Sequence, residues 1–326
     1  MKALVCDRYG SLDDIAYRDV PEPVPADGEI LVQVRAAGCM FTDVLFAEGR
    51  YQVKPALPFV LGSEVSGDVV GVGARVTRFK IGDRVMSLAP NFGGFAERVV
   101  IPEWTPCLLP LSVDYQSGSA VMSANATAQH ALRQRANLQP AETLVVSGAA
   151  GGTGAAAVQI GKLLHARVIA VCSTPQRAEF CRALWADECI VYGEGVDLAA
   201  RLKDSTAGRG VDVVFDTVGG PVFDACARAM AIEGRLLVVG FASGILPTLA
   251  VNMTLVKVYS VIGVHWLTFV QQHPEQHAAN MGELANWLDS GKLTTTVTAV
   301  LPLSKGADAL RRIARREAMG KIVLVP

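Results

Sequence analysis

The pattern of apolar and polar positions changes once along the chain. Over roughly the first 110 residues the apolar runs are short and alternate with polar residues. Glu29–Ala36 (EILVQVRA) alternates as a half-buried strand does, and Val65–Val72 and Arg84–Leu88 read as further strands. Gly62, Gly67, Gly71, Gly73, Gly82, Gly93 and Gly94 punctuate this region, and Pro21, Pro23, Pro25, Pro55 and Pro58 mark its loops. Near Tyr115 the pattern turns helical, and Ala120–Gln134 carries few β-branched residues. From Thr143 strands and helices alternate. The strands fall at Thr143–Ser147, Val168–Val171, Glu188–Val191, Val211–Asp216, Arg235–Val239 and Ser260–Val264. Helices fall at Pro175–Leu184, with Thr174 as N-cap, and at Pro221–Met230, Pro274–Ser290 and Lys305–Arg316. Lys321–Val325 is a closing strand. The expected fold class is α/β: a β-rich domain followed by a doubly wound parallel sheet.

The most informative stretch is Thr143–Cys172, TLVVSGAAGGTGAAAVQIGKLLHARVIAVC. It reads as strand, glycine loop, helix, strand, with Ala156, Ile160, Leu163 and Leu164 at helical spacing. A glycine turn at the first crossover of a βαβ unit seats a dinucleotide pyrophosphate, because the backbone must turn sharply and approach the phosphates. Gly148, Ala149, Ala150, Gly151, Gly152 and Thr153 are expected to line it. Ala149 occupies the first glycine of the strict fingerprint, whose others are Gly151 and Gly154. Gly71-Val72-Gly73 has a similar beginning, but Val76 stands at its third glycine and no helix follows. It reads as barrel turn chemistry.

An NAD-preferring site places Asp or Glu at the end of the second strand. Here Cys172, Ser173 and Thr174 stand there, and Arg177 follows one turn into the next helix. Ser173 with Arg177 suits a 2′-phosphate, so the expected cofactor is NADPH.

Composition narrows the partners. The chain has 326 residues, 51% hydrophobic and 19% charged, enough for two domains. A net charge of −1 leaves no global footprint for nucleic acid. The seven cysteines are scattered, with no CxxC pair, as in a protein of a reducing cytoplasm. No signal-like segment and no apolar run of membrane length is seen. The edge strand near Ser260–Val264 needs a cover, and pairing in a homodimer would supply one.

GAAGGTGAAAVQIGK, the GDRV turn at Gly82–Val85 and GKIVL at Gly320–Leu324 together resemble the medium-chain dehydrogenases and reductases over essentially the whole chain. Within them the chain is most similar to the zinc-independent NADPH:quinone oxidoreductases, the zeta-crystallin-like branch. The resemblance implies a GroES-like catalytic domain (1–120 with 267–326), a Rossmann domain (121–266) and a cleft between them. It places Met40, Ser63 and Ser123 where the zinc enzymes carry metal ligands. None is a good zinc ligand, so no metal is expected. His273 and His277, four apart, read as a solvated helix face.

The resemblance also implies roles for single residues. Thr127 would touch the nicotinamide ribose. Ser173, Arg177, Tyr192 and Arg316 would surround the 2′-phosphate. Phe241, Ala242, Val264 and Trp266 would lie along the nicotinamide half. Met40, Phe41, Leu45, Tyr51 and His265 would line the acceptor pocket. Tyr51 is the candidate proton donor, although it also suits a rim aromatic, and His265 is the alternative. Asp43 and Glu64 read as groups that fix loop backbones. The family commonly has polar residues at the places of Met40 and Leu45, which implies a larger or greasier acceptor. Without zinc to ionise a hydroxyl, the favoured acceptors are quinones and α,β-unsaturated carbonyl compounds. An enoyl-thioester reductase is a second expectation, and an NADPH-binding structural or RNA-binding protein a third.

Overall fold

The computed structural model describes residues 1–326 and separates into two units, Met1–Ser123 with Met281–Pro326, and Ala124–Asn280. In chain order the first unit begins with β1 (Lys2–Cys6), β2 (Ile15–Asp19), β3 (Glu29–Cys39), α1 (Phe41–Ala47), β4 (Phe59–Val60), β5 (Glu64–Val72), β6 (Arg84–Leu88), β7 (Arg98–Pro102) and β8 (Cys107–Leu108). Helix α2 (Tyr115–His130) runs from it into the second unit. There β9 (Thr143–Ser147), α3 (Gly152–Leu163), β10 (Arg167–Cys172), α4 (Pro175–Ala183), β11 (Glu188–Val191), α5 (Leu198–Asp204), β12 (Val211–Asp216), α6 (Gly220–Arg228), β13 (Met230–Val238), α7 (Asn252–Lys257), β14 (Ser260–Gly263) and α8 (Trp266–Gln272) follow. Helix α9 (Pro274–Asp289) leads back to the first unit, which closes with β15 (Val297–Pro302), α10 (Gly306–Ala314) and β16 (Lys321–Val325).

The first unit holds a three-stranded sheet, β2-β1-β4, and a larger sheet of order β15-β16-β3-β5-β6-β8, with β7 also on β3. The alternation in β3 is realised: Ile30, Val32 and Val34 are buried while Glu29, Leu31 and Gln33 are partly open. These three join Leu61, Val65, Val69, Val85, Phe95 and Ile101 in the core.

The second unit is a six-stranded parallel sheet of order β11-β10-β9-β12-β13-β14. Its central strand β9 is buried at every position, the mark of a strand covered on both faces. The order runs outward in both directions from the neighbours β9 and β12. Their carboxyl ends are therefore a topological switch point, where doubly wound sheets bind ligands. No helix of the chain is long and apolar enough to cross a membrane.

The structure departs from the sequence expectations in several places. Residues 267–280, expected with the first domain, lie in the second unit. The His130 ring stacks on Phe269 at 4.1 Å, and Asn280 bonds Gln134, which ties this segment to the end of α2 and the turn that follows it. His277 is buried, not solvated, and packs edge-on against Trp266. Strand β13 begins at Met230, earlier than Arg235, through an irregularity at Glu233, whose φ is 60°. Helix α1 falls where the sequence pattern marks no element.

Candidate active site

The glycine loop is fixed by close approach more than by flexibility. A Cβ on Gly154 would run into the carbonyl oxygen of Gly148 and stand 2.8 Å from the Cα of Ala149. Gly148 itself has φ 63°, and a Cβ there would meet Thr217 Oγ1 at 2.5 Å. Ala149 is outside the left-handed region, so its position in the fingerprint carries a side chain without strain. Gly151 N–H donates to Gly148 O at 2.9 Å and closes the turn. The N–H groups of Gly152, Thr153 and Gly154, in the first turn of α3, then have no acceptor earlier in the helix and suit an anion.

Polar groups lock the adjoining strand ends. Ser147 Oγ donates to Asp216 Oδ1, and Thr217 N–H and Oγ1 donate to Ser147 Oγ and O at 3.1 and 2.9 Å. Asp216 also accepts from Val218 N–H and Gly219 N–H at 3.1 and 3.0 Å. Burial raises the Asp216 pKa, and these donors oppose that rise. No local pattern marks Ser147 and Asp216 as a pair, because three crossovers, through α3, α4 and α5, lie between their strands in the chain.

Most of the residues expected around the cofactor stand at the carboxyl ends of the second unit's strands. Ser173 follows β10 and is exposed. Arg177 lies in the first turn of α4, where its N–H donates to Thr174 Oγ1 at 3.3 Å. Tyr192 follows β11, with its N–H on Cys172 O at 2.9 Å. Phe241 and Ala242 follow β13, and Ala242 N–H donates to Thr217 O at 2.9 Å. Val264 follows β14, its N–H on Val238 O at 3.0 Å. Trp266 turns its ring into the unit's interior against His277, so Val264 and exposed His265 are the accessible residues of this run. His265 bonds Thr268 Oγ1 at 2.7 Å. Thr127 is half-buried on α2. Arg316 belongs to the first unit, after α10, with a left-handed φ of 58°.

Of the residues expected to line the acceptor pocket, His265 belongs to the second unit, and the other four lie on and beside α1 in the first. Met40 precedes it, and Phe41 and Leu45 belong to it. Tyr51 follows it, with its N–H on Leu45 O at 3.3 Å and its ring 4.4 Å from that of Phe46. Burial raises the Tyr51 pKa, which keeps the hydroxyl protonated.

The three places where zinc ligands would stand offer a thioether and two hydroxyls, and two buried acids organise them. Asp43 Oδ2 accepts Met40 N–H at 2.8 Å and Oδ1 accepts Ser63 Oγ at 3.3 Å. Glu64 Oε1 accepts Ser123 N–H at 3.0 Å, and its Oε2 takes Lys321 Nζ at 2.6 Å. Burial, with Glu64 nearby, lifts Asp43 to about 7 against the pull of Met40 N–H, Lys321 and Ser63. Nowhere in the chain do three or more His, Cys, Asp or Glu residues gather as a metal site requires. Thioether and neutral hydroxyl ligands do not fit Zn²⁺, which takes thiolate, imidazole or carboxylate.

Comparison with known proteins agrees with this architecture. Residues 26–112 match the family described as alcohol dehydrogenase GroES-like domain, and residues 184–324 the one described as zinc-binding dehydrogenase. A quinone oxidoreductase-like protein 2 homolog of Nematostella vectensis is 33% identical over 99% of this chain and 88% of its own. The structure of Escherichia coli quinone oxidoreductase complexed with NADPH superposes with a TM-score of 0.94 at 26% identity, covering 100% of both chains. A mycobacterial structure complexed with NADPH also gives 0.94, at 30% identity over 100% of both.

Proposed function

Because the chain belongs to the quinone oxidoreductase family of medium-chain dehydrogenases and reductases, we propose that it reduces quinones or α,β-unsaturated carbonyl compounds with NADPH and without a metal ion. The observation that carries the acceptor class is the donor set Met40, Ser63 and Ser123, which cannot hold the Lewis acid that alcohol oxidation needs. When bound, NADPH supplies a hydride from C4 of its nicotinamide ring.

The chain's residues bind, orient and protonate. Gly148, Ala149, Ala150, Gly151, Gly152 and Thr153 hold the pyrophosphate against the first turn of α3. Ser173, Arg177 and Tyr192 take the 2′-phosphate. Thr127 orients the nicotinamide ribose, and Phe241, Ala242 and Val264 flank the ring, with Trp266 behind them. Met40, Phe41 and Leu45 make the acceptor side apolar. Tyr51 gives its proton to the acceptor oxygen as charge develops there, and His265 is the alternative donor.

NADPH consumption with benzoquinone, phenanthrenequinone and crotonyl-CoA tests this. Turnover of the quinones supports it. Turnover of crotonyl-CoA alone would mark an enoyl-thioester reductase, and tight NADPH binding with no turnover a structural role. Stoichiometric zinc by elemental analysis would overturn the metal-free mechanism.

A homodimer is part of the same proposal. Val251, Leu255 and Val256 on and beside α7 are 76, 79 and 71% exposed, and β14, the next strand in the chain, is the edge of its sheet and carries exposed Val261. Exposed apolar side chains and a strand with one open edge favour association through that edge. Light scattering that shows a monomer at micromolar concentration would refute it.

A further inference from the structure

Three thiols that the proposed reaction does not use gather at one end of the second unit. Cys172 ends β10, Cys181 lies in α4 and Cys189 in β11. Cys189 pairs with Ala170 and Val191 with Cys172, so Cys172 and Cys189 share one face of the sheet. Helix α4 covers that face, with Cys189 Sγ on Ala178 O at 3.3 Å. The Sγ atoms of Cys172 and Cys181 are 3.5 Å apart, and both residues are buried. A disulfide needs them to close by about 1.5 Å. The turn Ser173–Gln176, which directly follows Cys172, is exposed. The Cys181 hydrogen bond lowers the Cys172 pKa against the effect of burial, and Arg177 and Arg182 lower it further. Cys172, which borders the exposed turn, is assigned as the nucleophile.

We propose that Cys172 and Cys181 are a site of reversible oxidation by hydrogen peroxide, forming a disulfide that weakens NADPH binding. The geometry supplies the coupling. Cys172 directly precedes Ser173, and Cys181 lies four residues after Arg177 on one face of α4. Drawing the two sulfurs together moves both sides of the proposed 2′-phosphate site, on whose assignment this coupling rests. The Cys172 thiolate attacks one peroxide oxygen, the O–O bond breaks, and hydroxide leaves to become water, giving a sulfenic acid. Cys181 sulfur then attacks the Cys172 sulfur, the S–O bond breaks, and a second water leaves with the Cys181 proton. Two thiols lose two electrons and two protons, and one peroxide becomes two waters.

The test uses the whole chain treated with hydrogen peroxide, then blocked and digested with trypsin without reductant. Cleavage after Arg167, Arg177, Arg182 and Arg201 places Cys172, Cys181 and Cys189 on three separate peptides. The expected product joins Val168–Arg177 to Ala178–Arg182 and disappears on adding dithiothreitol. The oxidised protein should bind NADPH at least about fivefold more weakly, and saturating NADPH should protect the thiols by the reciprocal coupling. Cys172→Ser and Cys181→Ser should lose the response to peroxide. Absence of the linked pair in the wild-type digest, a link to Cys189 in its place, or unchanged NADPH affinity in the linked protein would each overturn the proposal. Reduced protein that binds NADPH no better than NADH would instead sink the 2′-phosphate assignment, and the peptide map would still decide whether the disulfide forms.

Discussion

Lys321 Nζ lies 2.6 Å from Glu64 Oε2, although the two residues are 257 positions apart and both are buried. Glu64 spends its other oxygen on Ser123 N–H, so the pair binds the closing strand to the start of β5 and to α2. Removing one partner leaves an uncompensated charge in the core. Lys321→Met should lower stability by about 3–5 kcal/mol in a denaturant titration, and adding Glu64→Gln should recover most of that loss. Equal stability of the single and double variants would show that the charges are not coupled.

Asp43 predicts a pH dependence. Burial raises its folded pKa from 3.8 to about 7. Below 3.8 both states bind the proton and Asp43 costs nothing. Between 3.8 and about 7 the unfolded chain releases the proton more readily, so stability falls as pH rises. The slope is at most about 1.4 kcal/mol per pH unit. Asp43→Asn can still accept Met40 N–H, and the wild-type minus variant difference in denaturation midpoint should vary over this window and level off above it. A flat difference would refute the assignment.

Gly154→Ala should disable the cofactor loop, because the new Cβ meets backbone and not a flexible side chain. A loss of about 1–3 kcal/mol in stability is expected, with a larger loss of NADPH affinity. Ala149→Gly, at a position free of strain, should leave NADPH affinity within about threefold of the wild type. Calorimetry on the two variants compares close approach with chain flexibility directly.

Arg177→Glu should weaken NADPH binding by about tenfold or more and leave NADH binding nearly unchanged, as expected when one charge-assisted hydrogen bond to phosphate is reversed. Equal loss for both cofactors would mean that Arg177 supports the helix and does not read the 2′-phosphate.

Short-range patterns carried most of the second unit into view from the sequence. Thr143–Ser147, Glu188–Val191 and Val211–Asp216 are strands with those same ends, because each is a short, mostly apolar or β-branched segment bounded by loop or helix signals. Helix α1 stayed hidden. It has seven residues, no Ser, Thr, Asp or Asn at its cap, and its Met40 N–H is capped from inside by Asp43. His277 looked polar by type and is buried by an aromatic partner eleven residues earlier. The site's polar locks, Ser147 with Asp216 and Glu64 with Lys321, join residues 69 and 257 apart. No local pattern encodes such separations, since they follow from strand order alone.

The strand that carries Lys321 has a consequence for the order of synthesis. Glu64 leaves the ribosome 257 residues before its cation, an interval on the order of ten to fifty seconds at ordinary translation rates. All of residues 124–280 are made within it. The nucleotide-binding unit can therefore finish while the first unit still waits with its central acid solvated, and the nascent first unit is the part that needs shielding until its final strand arrives.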